Sequence, residues 1–247
     1  QLQGVTTSQT AAIESTDLAK MTTSALVAMA PDVMSTLSST QFGALTTDQV
    51  KALTTAQAAQ LTSTQTVGLT TAQAGVMTGA DLAKLSTTAL SSLTNAAFGA
   101  IATGEITSLS SSQVSALQGG QVSALTTAQA ASLTATQAPG ITTSQTAALE
   151  SGDLNKLTTS AFEAMAPAVA AKLSSTQVGA LTTAQIAALT TAQAAALTTA
   201  QTVGLSSTQT MAIESQDLAA LTTAAIGGLT SSTFRALSTA ALTSIST

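Results

Sequence analysis

The sequence predicts an all-α fold: a solenoid, or superhelix, of short capped helices, one in every eight residues. Three observations predict it. An aliphatic residue returns at every eighth position from Val5 to Ile245 without a slip of register. Behind it, Ser or Thr is followed three residues later by Gln, a pattern that starts helices. Two of the three prolines, Pro31 and Pro167, fall one place after that Ser/Thr position, where a helix tolerates proline best.

The repeat is clearest from Leu181 to Gly204, which reads LTTAQIAA, LTTAQAAA, LTTAQTVG. Taking the aliphatic residue as position one gives 31 lead positions, of which 21 are Leu, five Ile, four Met and one Val. Position two is Ser or Thr in 24 of the 31 units, and position three in 25. Position five is Gln in 16 of 30 units and acidic in five more; position six is hydrophobic in 25 of 30 and Thr in the rest. Such internal repetition points to a solenoid, which grows by adding units rather than by enlarging one core. The whole chain, 1–247, therefore reads as one continuous octapeptide-repeat solenoid, a segment of a longer or polymerising protein. The units at the two ends look internal, with no atypical capping repeat.

The period selects the element. Along one continuous α-helix, eight residues leave an offset of about 80°, so the leucines would spiral and form no stripe. In a strand, positions one and six would fall on opposite faces. Ala and Gln are also poor strand formers. A β-solenoid is the alternative, since Thr-rich short repeats can coil that way. A short helix and a turn in each unit fits better. With position two as N-cap, its hydroxyl accepts from the N–H three residues on, and Gln reaches back to the cap's own N–H. Positions one and six then form a hydrophobic staple, as in Leu181 with Ile186, Leu173 with Val178 and Met21 with Leu26. The third proline, Pro139, falls at position seven before Gly140 and reads as a local stop. Asp17, Asp81, Glu105, Asp153 and Asp217 would lie in first helical turns, where the helix dipole favours negative charge. Gly4, Gly68, Gly140, Gly204 and Gly228, at position eight, would end helices in the left-handed conformation. Helices of about six residues are unstable alone, because nucleation is costly. The expected remedy is an apolar seam of positions one and six, with Thr, Ser and Gln rows facing water.

A longer period overlies the octad. IESTDLAK at Ile13 returns as MTGADLAK at Met77, LESGDLNK at Leu149 and IESQDLAA at Ile213, at intervals of eight, nine and eight octads. Two explanations fit: duplication of a block of eight to nine octads, or a wide superhelix with that many units per turn. The second would stack Asp17, Asp81, Asp153 and Asp217 above one another.

Composition excludes several function classes. Six Lys and Arg against eleven acids, a net charge of −5, leave no basic patch, so no nucleic-acid partner is expected. With no His and no Cys, a Ser-His-Asp or Cys-His set is absent, and so are the usual zinc ligands. We therefore expect no enzyme, no catalytic, cofactor-binding or metal site residues, and no cofactor. The recurring acidic pairs Glu14/Asp17, Glu150/Asp153 and Glu214/Asp217 could hold a cation if stacked, but read more simply as helix-start decoration. Lys20, Lys84 and Lys156 stand three residues after an Asp and read as surface pairs. Ser and Thr rows could match ice or a glycan, but capping explains one of the two hydroxyls. No membrane span is expected, because Thr, Ser and Gln interrupt every unit. No signal peptide is visible, and the missing initiator Met suggests a mature fragment or an excerpt.

The LTTAQ-x-x-A pattern, best from Leu181 to Gly204 and from Leu45 to Gly68, resembles the octapeptide tracts of very large secreted or surface proteins of bacteria, often labelled adhesin-like. That resemblance covers the whole chain. It implies an extracellular or cell-surface structural part, a stalk, fibre, filament or sheath, and no catalytic or binding residues. Self-association with neighbouring copies, lateral or end-to-end, is the partner expected, with glycan or surface contact as the second expectation.

Overall fold

A computed structural model of the chain describes residues 5–245. Among them there are 28 α-helices and no strand, so the solenoid is α-helical and the β alternative falls. Each α-helix has four to six residues, and each octad from Val5 to Leu237 holds one helical segment. In the units led by Leu133 and Ile141 that segment is a 3₁₀ turn, Ala138–Gly140 and Thr146–Ala148. Pro139 sits inside the first of these.

The local chemistry explains the shortness. In Thr183–Ala187, Gln185 N–H donates to Thr182 Oγ1 at 3.1 Å, while Thr182 N–H donates to Gln185 Oε1 at 2.9 Å. Two of the orphan donors of the helix start are satisfied within the unit. At the other end, the next lead residue donates its N–H back to position six, as Leu45 does to Phe42 at 3.2 Å. Where the cap is the lead residue itself, its backbone is extended; Leu197 has φ −66° and ψ 140°. That turns the chain out of the helix and into the following cap, also extended in Thr198. Pro31 and Pro167 open their helices as expected. One expectation fails here. No described glycine has a positive φ, so Gly68, Gly140, Gly204 and Gly228 do not end helices in the left-handed conformation; Gly4 lies outside the described residues. The extended residues at positions one and two make such a terminator unnecessary. Gly68 and Gly204 serve close approach instead: a Cβ on either would run into a carbonyl oxygen of the preceding turn, Ser39 and Ser175 respectively.

The chain divides after Gln129 into two compact parts, each built the same way. Within each, a helix packs on the helices three units before and after it. Asn95–Gly99, for example, lies against Thr71–Ala74 and Gly119–Ser123. The lead residues from Met29 to Leu237 are all buried, and so is nearly every position six; Val5, Ile13 and Met21 are half-buried. Each Leu-sized lead contributes about 1.5–3 kcal/mol by leaving water, which is what a six-residue helix lacks alone.

A coil that closes in three to four units rules out the wide superhelix of eight to nine. The helix of Asp81, Gly79–Leu82, stacks with Thr55–Ala59 and Thr103–Ile106, three units either way. The long period is then a relic of duplication. Ile13–Pro31, IESTDLAKMTTSALVAMAP, returns seventeen octads later as Leu149–Pro167, LESGDLNKLTTSAFEAMAP.

Candidate functional site, an inter-turn row at position five

The feature that distinguishes this coil is the Gln row, and it overturns the expectation that Gln faces water. All described position-five Gln residues except Gln9 are buried, none more than 8% exposed. Their amides have a second task. Gln193 Nε2 donates to the carbonyls of Phe162 at 3.1 Å and Met165 at 2.8 Å. Gln185 does the same to Leu154 and Leu157, both at 2.9 Å. In the first part, Gln41 reaches Thr10 and Ile13, and Gln121 reaches Leu90 and Leu93. The register is constant: the acceptors are position six, 31 residues earlier, and position one, 28 residues earlier. So Oε1 closes the capping box inside the unit, and Nε2 ties the unit to the turn beneath. An amide is suited to both because it carries acceptor and donor on one planar group. Burial follows, since a satisfied polar group can leave water at little cost. Gln9 has no unit four places before it in this sequence and is exposed.

Where position five is not Gln, position six grows. Among the 16 Gln units, only Phe42 and Ile186 are larger than Val at position six. Among the other 14, all but Ala170 carry Leu, Ile, Met or Phe there. Most units are held by an amide tie or by a buried, bulky apolar side chain; Ala170 supplies neither, and Phe234 and Leu242 are exposed.

The acidic exceptions behave less uniformly than helix-start decoration implies. Asp17 is exposed and pairs with Lys20 at 3.9 Å, the one ion pair among the described residues. Lys84 and Lys156 form no such pair, because Asp81 and Asp153 are buried. Asp81 Oδ2 instead accepts from its own cap, the Thr78 hydroxyl, at 2.7 Å. Glu105 accepts from the N–H of Gly79, the first helical residue three units below. Asp217 Oδ1 accepts from the Thr191 hydroxyl at 2.9 Å, and its Oδ2 is buried with no partner. Burial pushes the Asp217 carboxyl above the ordinary carboxylate range; Thr191 opposes this, and the nearby Glu214 charge adds to it. No group of three or more acids that could hold a metal occurs among the described residues, so the three acidic pairs do not gather into a cation site.

The outer surface is hydroxylic. Position-two and position-four hydroxyls pair side by side at 2.9–3.1 Å in the units of Ile141, Leu157, Leu205 and Leu229. A hollow of about 560 Å³ lies between the stretch Thr210–Ser215 and the stretch Ala236–Ala241. No described helix is long and apolar enough to cross a membrane.

The C-terminal part matches a known repeat. The family model of the ALTTAQ repeat matches residues 146–191, 170–207 and 210–247. These matches take in the run Leu181–Gly204 and the Gln ties from Gln177 to Gln201. No curated protein matches the chain.

The helix starts, the lead-residue core and the acidic positions were visible in sequence. The inter-turn amide tie was not, though its signal was present: a capping box needs Gln or Glu, yet 16 units choose Gln and only one Glu. A box alone would not discriminate so strongly. A preference for the neutral amide marks a donor requirement and burial.

Proposed function

We propose that this chain is a structural repeat tract, a building element of an extracellular fibre, filament, sheath or adhesin stalk at a bacterial surface, and that it acts as scaffold and not as an enzyme. The observation that carries this reading is the constant register of the Gln ties. The amides of Gln185 and Gln201, like that of Gln193, bind the turn beneath at the same two carbonyls, so a further octad can be added without new design. The ALTTAQ repeat match supports a repeat tract of this kind. The low charge suits lateral packing of copies, because little repulsion keeps uncharged Ala, Thr and Ser surfaces apart. Negative-stain microscopy of the purified chain, with sedimentation over a range of concentrations, tests it. Filaments or concentration-dependent assembly are expected; a monomer at all concentrations would count against self-association.

A second reading, a surface-binding array for ice or glycan, rests on the paired exposed hydroxyls such as Thr142 with Ser144 and Ser206 with Thr208. Thermal hysteresis or binding on a glycan array would favour it over scaffolding.

A further inference from the structure

Asp217 occupies the slot in which Gln ties one turn to the next, but it cannot do what Gln does. By the register that Gln185 and Gln193 keep, 31 and 28 residues back, the slot faces the carbonyls of Ile186 and Leu189. An ionised carboxylate has only acceptors to offer them. The residue is 1% exposed, one oxygen is satisfied by Thr191, and the other is buried and unpartnered. Asp81 avoids this state by accepting from the Thr78 hydroxyl of its own cap. Asp217 has no such cap, because position two of its unit is Glu214, which offers no hydroxyl and adds a second negative charge. The helices packed against Ser215–Ala220 are Thr191–Ala196 and Thr239–Ser244, and neither carries a titratable residue. Thr183–Ala187, in the turn that the slot faces, carries none either, so among the described residues of these helices and of its own unit Glu214 is the charged group that bears on the acid.

We infer that the turn at Asp217 is a pH-sensitive joint in the coil, in which the protonated acid stands as a donor where other units place an amide, and ionisation loosens Ser215–Ala220 from Thr191–Ala196. The sign follows from the raised folded-state affinity for the proton. Below the ordinary carboxylate range the acid is neutral in both folded and open forms, and the joint is at its tightest. As pH rises through that range, the open form ionises first and the packing weakens. The loss is complete once pH passes the folded-state value. Neutral surroundings therefore leave a weakened turn beside fully tied ones at Gln193, Gln201 and Gln209.

Amide hydrogen exchange on the whole chain from pH 3 to pH 8, for the wild type and D217N, reads this directly. Taking the ratio of rates at each pH removes the intrinsic pH dependence of exchange. Ser215–Ala220 and Thr191–Ala196 should exchange alike in both proteins at pH 3. The wild type should then become faster by up to about tenfold per pH unit across the titration window, and level off above it. A ratio that stays flat over the whole range overturns the inference. Should D217N misfold, the ¹³C shift of the Asp217 carboxyl in the wild type gives an independent reading. A midpoint above the ordinary carboxylate range supports the joint, and one within or below it overturns the inference.

Discussion

Two stretches of the coil solve one problem in different ways. From Leu181 to Ala212 every unit has Gln at position five, and position six is Ile186, Ala194, Thr202 and Thr210. From Leu85 to Ser108 position five is Ala89, Ala97 and Glu105, and position six is Leu90, Phe98 and Ile106. The first stretch throws an amide to the turn beneath from each unit. The second throws none of these ties, yet receives them from above, through Gln113, Gln121 and Gln129. Apart from Glu105, which accepts from Gly79 N–H, its own hold on the turn beneath is apolar: Leu90, Phe98 and Ile106 are all fully buried. A polar tie is directional and fixes register. An apolar plug contributes through area and tolerates adjustment. The octad accepts either, provided the volume at positions five and six together is filled.

The largest expected effect breaks the plug. Phe98→Ala should cost about 3–5 kcal/mol, because Ala97 beside it cannot fill the cavity. Denaturant unfolding measures it, and a loss below about 1 kcal/mol would show that the ring is dispensable. The double change Ala97→Gln with Phe98→Ala rewrites the unit in the style of Leu189 and should recover part of the loss. Failure of any recovery would mean that the two solutions are not interchangeable.

Next comes the tie. Gln193→Glu keeps shape and the box acceptor but removes the donor facing Phe162, Glu163 and Met165 carbonyls. An acceptor-only charge held against carbonyls should cost about 3 kcal/mol at neutral pH. The buried acid binds its proton more tightly folded than unfolded, so the cost should shrink as pH falls through the carboxylate range. Urea midpoints at pH 3 and pH 7 measure both statements. Gly204→Ala, in the same stretch, should cost about 1–3 kcal/mol by forcing the backbone away from Ser175. The matching change at Gly68, which meets Ser39, should cost a similar amount.

How much of this could be read beforehand depends on the range of the interaction. Cap and box lie three residues apart, so Thr182 and Gln185 declare their bond in the sequence itself. The core is equally open, since a lead residue that never turns polar in 31 units must be hidden. The tie from Gln185 to Leu154 and Leu157 spans most of four octads, and its acceptors are backbone carbonyls that leave no mark on residue choice. The number of units per turn was hidden for the same reason: it is set by helix packing three units apart, which eight-residue periodicity does not encode. The marked units led by Ile13, Met77, Leu149 and Ile213 left a longer turn open beside duplication, because duplication writes a period too. Burial of Asp81 and Asp217 was likewise out of reach, since it follows from sharing the Gln slot and not from the acid's own neighbours in sequence.

The smallest effect sharpens the comparison most finely. Thr94 and Thr190 are equivalent caps, one in each stretch. Thr94 Oγ1 accepts from Ala97 N–H at 3.1 Å and works alone, because Ala97 has no side chain to return the bond. Thr190 Oγ1 accepts from Gln193 N–H at 3.2 Å, while Gln193 Oε1 accepts the N–H of residue 190 at 2.9 Å. That second bond goes to backbone and survives loss of the hydroxyl. Thr94→Ala should therefore cost about 1 kcal/mol, the usual value of a lost cap. Thr190→Ala should cost about half as much, on the order of 0.5 kcal/mol, because the box holds the helix start from its other side. Denaturant midpoints for the two variants, measured side by side, decide the order. Equal losses would mean that the Gln amide serves the turn beneath and adds nothing to its own helix.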